Sequence, residues 1–411
     1  DVYKRQDVSR IKVTPLEIGG GFGGKIPVYL EPVVSILSKK SQRPVKAVME
    51  RSSVFQASGP APGGTITVKM GTDKDANIIA AETSIKLEAG GFPGAAVGAA
   101  VQCIFAPYDI PNTRIDGYDI VVNKPKSAAY RAPGSPQAAF AAETVSDELA
   151  RLHNMDPIDF RLRNASKEDT RRADGVVFPK IGNVEVLEAA KSSDHWNSDL
   201  GTPPQGRVRG RGVASGYWFN VGLKSAVSLT VNNDGSVALV EGSTDIGGTR
   251  TSISMQAAEV LGIGVENFIP SVGDTDTAGY ADVTGGSRTT YATGFAAVKA
   301  AENLIEVLKE RCSIIWSLDK NDIDFEDGTF FATKDPELKF SFKELASNLD
   351  NTGGPASSTG SVDLESAGGA FGTHIVDVDV DPETGKTEFG LMDKDKVKEI
   401  TEMMVKKGGS E

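Results

Sequence analysis

Gly19-Gly20-Gly21-Phe22-Gly23-Gly24-Lys25 is the stretch on which the reading of this chain turns. Five glycines in seven residues add nothing to a core, since glycine buries no side chain and loses the most backbone entropy on folding. What they supply is backbone freedom and main-chain N–H groups that a ligand can approach without meeting a Cβ. Upstream, Ile11 and Val13 alternate like a strand leading into the loop. Downstream, Leu30, Val33, Val34 and Leu37 recur at helical spacing, so the loop is expected to feed a helix. A glycine loop opening on a helix N-terminus suits an anion, usually phosphate. A single such motif is better explained as a structural turn.

Three more constellations shift that balance. Arg131-Ala132-Pro133-Gly134-Ser135-Pro136-Gln137 places an arginine on a stiff turn, with Ser135 as the expected N-cap and Pro136 as N1. Ala138, Ala141, Ala142, Val145, Leu149 and Leu152 then trace one helical face. Asp245-Ile246-Gly247-Gly248-Thr249 precedes a helix carrying Ile253, Ala257, Val260 and Leu261 and stopped by Gly262. Thr284-Gly285-Gly286-Ser287-Arg288-Thr289-Thr290 again leads into a helix, Val298 to Cys312. Together these turns suit a large anionic, polyphosphate-like cofactor held at several points by backbone amides, and Arg131 suits an anion or oxo group.

Elsewhere the pattern is that of hairpins. Ile66, Val68 and Met70 meet Thr72–Asp75 and return at Ile78; Val227, Leu229 and Val231 meet Asn232–Gly235; Val376, Val378 and Val380 meet Asp381–Gly385. Arg43 to Val48 reads as a further strand, Pro60–Gly64 as a loop, and the polar stretch Arg171 to Gln205 as an interdomain connection. Hairpins alternating with helices give an α+β fold with mixed sheets and packed helices. Asp377, Asp379 and Asp381 share one side of a strand, its solvent face, and Asp274 and Asp276 read as turn formers.

With 411 residues the chain has room for two or three domains, and 39% hydrophobic with 24% charged residues is a globular composition. A net charge of −12 argues against nucleic acid. No apolar run spans a bilayer and no signal peptide opens the sequence, so a cytoplasmic protein is expected. Cys103 and Cys312 are the only cysteines, with Cys312 in phase with an apolar helix face, and His153, His195 and His374 lie far apart. That is too few ligands for a zinc, iron or iron–sulfur centre, so a working metal would be held mostly by something other than side chains.

Taken together, Glu17–Lys25, Tyr130–Gln137, Leu162-Arg163-Asn164, Gly273–Asp276 and Thr284–Ser287, in this order and spacing, resemble the molybdenum-binding large subunit of the xanthine dehydrogenase/aldehyde oxidase family. The resemblance covers residues 8 to 390. It implies two partial molybdopterin-binding domains, 8–170 and 206–390, joined by 171–205, with 391–411 a helical tail foreign to the family. It implies a molybdopterin cofactor, in the cytosine dinucleotide form, and hydroxylation of a small-molecule substrate with oxygen from water. Electrons are then expected to pass to a 2Fe–2S subunit and an FAD subunit. By the family pattern Gly20, Gly21, Phe22 and Gly23 approach the molybdenum; Arg131 and Gly286 lie beside it without ligating it through side chains. Gly247, Gly248, Gly285 and Ser287 are expected to hold the cofactor.

Departures from the pattern narrow the expectation. Gly248 stands where the family often has Gln, and Pro133 and Ile26 replace the aromatic and the Glu of purine-oxidising members. An aldehyde or N-heteroaromatic substrate therefore fits better than a purine, and without a Cys in the Arg131 loop carbon monoxide does not fit. The family's catalytic Glu, in Gly-x-Gly-Glu, does not occur, so no catalytic residue is assigned. The sequence from Asp393 to Lys407 becomes Lys/Glu-rich, as expected for a partial or mis-joined reading frame. The counter-expectation is a non-catalytic scaffold whose turns are only structural. Tyr217, Trp218 and Phe219 read as core residues rather than substrate contacts.

Overall fold

The computed structural model describes residues 10–365 and 369–389. Its helices are α1 (Glu31–Ser41), α2 (Arg51–Ala57), α3 (Val97–Cys103), α4 (Ser135–Leu152), α5 (Pro157–Arg163), α6 (Asn183–Ser192), α7 (Asp194–Asn197), α8 (Thr249–Leu261), α9 (Gly294–Trp316) and α10 (Phe342–Ser347). Its strands are β1 (Gly64–Thr72), β2 (Ile78–Gly90), β3 (Thr113–Val121), β4 (Val208–Phe219), β5 (Leu223–Val231), β6 (Val237–Glu241), β7 (Phe268–Val272), β8 (Ile323–Glu326), β9 (Thr329–Ala332), β10 (Asp335–Ser341), β11 (Ala356–Leu364), β12 (Gly369–Val380) and β13 (Thr387–Phe389). The chain weaves between two compact units.

One unit comprises the described parts of Asp1–Ala61, Ala128–Arg131 and Phe219–Ala367. Its main sheet has the order β11-β5-β6-β7, antiparallel except for the β6–β7 pair. The β5–β6 hairpin closes where Asp234 Oδ1 accepts the Ser236 amide at 2.9 Å and Gly235 takes φ +88°. Val227, Leu229, Val231, Val237 and Leu239 point from the sheet into a core shared with Ile253 and Leu261 of α8. On α9 the run Ala296, Ala297, Ala300, Ala301 is wholly buried. These small side chains let the helix backbone approach β11 so closely that a Cβ on Gly360 would strike the Ala296 carbonyl.

The other unit comprises Pro62–Ser127, Ala132–Trp218 and the described part of Gly368–Glu411. β1 and β2 form the expected hairpin, and β3 adds to β2 in parallel. α4 covers this sheet with Ala138, Ala142 and Leu149, whereas Leu152 is 81% exposed and leaves the expected face. A second sheet has the order β13-β12-β4, with β12 and β13 antiparallel as the third hairpin. Its aspartates are not a bare solvent face. Asp379 accepts Arg209 Nε at 2.7 Å and Asp377 accepts Arg211 Nε at 2.6 Å, both arginines lying on β4.

The α+β expectation holds, with local corrections. Residues 43–48 form no strand, nor do Ile11 and Val13, which meet the Thr275 loop: the Val13 amide and carbonyl bond Thr275, and the Thr275 hydroxyl donates to the Ile11 carbonyl at 3.4 Å. The helix after the first glycine loop starts at Glu31, so Lys25 to Leu30 separate loop from helix, and α1 buries none of its residues. Gly134 at φ +86°, not Ser135, is the N-cap of α4, because the Ser135 hydroxyl donates to the Tyr217 carbonyl at 2.8 Å instead. The stretch 171–205 carries α6 and α7, and Leu187 packs with Ile158, Ala165 and Val213. Tyr217 is buried between Phe178 and Phe371, and Cys312 is wholly buried, its thiol pushed up to about 12 by that burial. The tail from 391 lies outside the described residues.

Candidate functional site

Three glycine-bearing turns and Arg131, with which the second turn opens, meet within the first unit. The Arg131 amide donates to the Phe22 carbonyl at 2.6 Å, joining the first and second turns. The Gly20 amide donates to the Ile246 carbonyl at 3.1 Å, and Arg250 pairs with Glu17, joining the first to the third. Thr244 and Thr284 hydroxyls lie 3.1 Å apart, joining third and fourth. A Cβ on Gly285 would come within 2.9 Å of Ile26, so the fourth turn also rests on the first. Gly20, Gly21, Phe22, Gly23, Arg131, Gly247, Gly248, Gly285, Gly286 and Ser287 are thus brought to one place.

Backbone strain is present there. Phe22 (φ +51°), Arg131 (φ +24°) and Ser287 (φ +59°) are non-glycine residues in the left-handed region. Such conformations cost of order 1–3 kcal/mol each and cluster at ligand clamps. Gly23 shows why glycine is required: at φ +96° any Cβ would sit 2.9 Å from the Ala129 backbone. Gly286, at φ +71°, would drive a Cβ into the Val221 side chain.

Asp245 shapes the third turn. Its Oδ1 accepts the Gly247 amide at 2.8 Å, the Thr249 amide at 3.2 Å and the Thr249 hydroxyl at 3.0 Å, while Oδ2 accepts Arg250 Nε at 2.7 Å. Burial works against its charge, but the Arg250 hydrogen bond and the turn's donors outweigh it and hold the carboxyl well below its usual range. Gly248 at φ +89° is left as N-cap of α8, exposed, its amide without an acceptor among the described residues. Arg288 shapes the fourth turn from beneath. Wholly buried, it donates to the carbonyls of Gly222 at 2.9 Å and Asp282 at 3.0 Å, and burial lowers its pKa. A π-helical turn, Thr289–Thr293, links it to α9.

Arg131 itself is exposed, and its guanidinium has no hydrogen-bond or carboxylate partner among the described residues. The ordinary alternative, a surface ion pair, is therefore absent. No group of three metal-ligating side chains occurs among the described residues. What the site offers is a free cation, exposed amides and strained turns, the equipment for an anionic ligand that brings its own metal.

Two family models, each described as molybdopterin cofactor-binding domain, match residues 5–165 and 185–393. The chain belongs to the molybdopterin cofactor-binding family. It is 29% identical to the xanthine dehydrogenase molybdenum-binding subunit of Escherichia coli O157:H7, over 91% of this chain and 52% of that protein. It is 26% identical to the nicotine 6-hydroxylase large subunit of Paenarthrobacter nicotinovorans, over 92% of this chain and 51% of that one. In fold it matches the Cu,Mo-CO dehydrogenase crystal structure with a TM-score of 0.84 at 21% identity, over 93% of this chain and 53% of that one. The chain spans about half the length of the curated relatives it matches.

The cofactor family fits the residues present. Among the described residues the turns leave glycine-only surfaces, a free guanidinium and the unpaired Gly248 amide, and offer no metal cage of side chains. Sequence reasoning singled out the glycines and Arg131, which the fold brings together. It missed Arg288 and the Glu17–Arg250 bridge, whose roles depend on distant carbonyls and carboxylates, and it missed Glu241, whose only signal is an acid at a core-facing strand position.

Proposed function

We propose that these three turns and Arg131 hold a molybdopterin cofactor, in its cytosine dinucleotide form, for the molybdenum-binding subunit of a hydroxylase. The observation that carries this reading is the meeting of Phe22, Arg131, Gly248 and Gly286 on strained, mutually bonded turns, with the Arg131 guanidinium free. Gly248 and the N-terminus of α8 suit the phosphates, which gain from exposed amides and the helix dipole. Arg131, a permanent cation, suits an oxygen on the metal side. Gly286 and Phe22 limit what can approach there, Gly286 by lacking a side chain and Phe22 by presenting a 60% exposed ring. Such a cofactor, when bound, supplies a hydroxylation centre that takes its oxygen from water.

The substrate class we assign is an aldehyde or an N-heteroaromatic carbon, since Pro133 and Ile26 stand where a purine clamp needs an aromatic and a Glu. Electrons leave through 2Fe–2S and FAD subunits, because this chain's two cysteines, both buried and free, cannot carry a cluster. Both free thiols suit a cytoplasmic setting. No helix among the described residues is long and apolar enough to cross a membrane. The test is oxidation of aldehydes and N-heteroaromatics by the protein purified with its native partner subunits, in heavy-oxygen water with a dye acceptor. Water-derived label in any product formed is expected; product labelled only from molecular oxygen contradicts the reading.

A further inference from the structure

Glu241 closes β6, and by the period of two its side chain shares the core-facing side of the strand with Val237 and Leu239. All three are 0% exposed. Its cross-strand neighbours are Val227 on β5 and Val272 on β7. Neither carboxyl oxygen has a hydrogen-bond partner among the described residues. The donors nearby are taken: Arg250 serves Asp245 and Glu17, Thr249 serves Asp245, and the hydroxyls of Ser225 and Ser243 each lie 2.8 Å from that of Thr293.

A carboxylate in such a place is costly, and the group escapes that cost by keeping its proton. Burial first, and the charge of Asp245 second, push Glu241 up to about 8, with Arg250 pulling the other way. The charged groups that act on it are Asp245, Arg250 and, through Arg250, Glu17. The residues of α8 and α9 in the core it faces, Ile253, Ala257, Ala296 and Ala297, carry no charge.

Four residues on, Asp245 shapes the turn whose Gly248 amide opens onto the N-terminus of α8. A charged Glu241 would be a second anion acting on Asp245, the carboxylate that shapes the turn. We propose that Glu241 is the proton-holding residue of this cradle: the turn takes a pyrophosphate-type anion only while Glu241 is neutral, so binding is coupled to proton uptake. This rests on the reading of the turn as a phosphate cradle. It also explains an acid that no donor among the described residues satisfies, because a protonated carboxyl adds no charge where an anion must enter.

Calorimetry of the full chain with dicytidine diphosphate, a pyrophosphate diester that does not itself titrate near neutrality, tests the coupling. Titrations in two buffers of different ionisation enthalpy count the protons. Wild type is expected to lose affinity by up to about tenfold per pH unit above pH ~8, the limit for one linked proton. Uptake should approach one proton per ligand over the same range. Glu241→Gln, neutral at every pH, is expected to keep the low-pH affinity throughout, with no uptake. Binding by wild type with unchanged affinity and no uptake across that range overturns the inference and leaves the cradle intact. Absence of binding by either protein at any pH overturns the cradle reading, and the inference with it. The wild-type proton count decides the coupling even where the variant fails to fold.

Discussion

The amide of Arg131 reaches the carbonyl of Phe22 at 2.6 Å, and both residues stand in the left-handed region of backbone space. Two strained residues, 109 positions apart in the chain (131 − 22), hold each other where neither sequence segment would rest alone. Because the Arg131 guanidinium takes no part in that bond, its charge and its backbone role separate cleanly. Arg131→Ala is expected to leave thermal stability within ~0.5 kcal/mol of wild type, the range for an exposed side chain. It is expected to cut retained molybdenum severalfold. A large drop in Tm would show the guanidinium to be structural.

Gly286→Ala should be destabilising by ~1–3 kcal/mol, since it adds overpacking against Val221 to an unfavourable φ. Val221→Ala in the same chain removes the steric part and leaves the backbone part. Partial recovery of the denaturant midpoint in the double variant is the expected result. Full additivity would mean that the two side chains do not meet.

Asp245→Asn keeps the shape of the third turn's organiser but removes the charge that Arg250, Gly247 and Thr249 address. A loss of ~1.5–3 kcal/mol is expected, the range for hydrogen bonds to a charged group. Hydrogen exchange at the first turn of α8 should rise in this variant and remain unchanged in β11.

In the second unit Glu143 accepts Arg161 Nε at 2.8 Å, the Tyr108 hydroxyl at 2.5 Å and the Ser215 amide at 2.6 Å, with Arg161 wholly buried. Arg161 also pairs with Asp147 at 2.8 Å, so losing Glu143 leaves the guanidinium a carboxylate but strands the Tyr108 hydroxyl and the Ser215 amide, at a cost of ~1–3 kcal/mol for each unsatisfied donor. Glu143→Ala is therefore expected to lose that much in urea unfolding, and Glu143→Gln somewhat less.

Two carboxyls give opposite pH signatures. Arg211 first, against some burial, and then His195 hold Asp377 down to about 2. Its contribution to stability is present above the unfolded value of ~3.9 and is lost as pH falls from there toward 2. Glu241 is raised to about 8, so the folded state binds more protons than the unfolded one between ~4.3 and 8. Stability therefore falls with rising pH across that window. Glu241→Gln should flatten the upper window and Asp377→Asn the lower; exchanged signatures would refute both assignments.

The hairpins at Ile66–Ile78 and Val227–Leu239 were legible because alternation and turn chemistry are local. So was α8, which Gly248 opens and Gly262 closes. Residues 43–48 were not, since β-branched composition is only a preference and no neighbouring strand pairs with them. Ser135 read as a cap until its hydroxyl found the Tyr217 carbonyl, a contact 82 residues away. The same divide runs through the site. Glycines announce positive φ in the sequence, whereas Arg288 and Glu241 acquire meaning only once the sheet brings carbonyls to one and withholds donors from the other.

The most direct test of the central claim is molybdenum and pterin content in the protein purified from a host that makes the cofactor. Wild type should carry both in a fixed ratio. Arg131→Ala and Gly286→Ala, on two different turns, should each lose both together while remaining folded by circular dichroism. Wild type without pterin, or variants that keep the wild-type content, would contradict the claim that these turns hold the cofactor jointly.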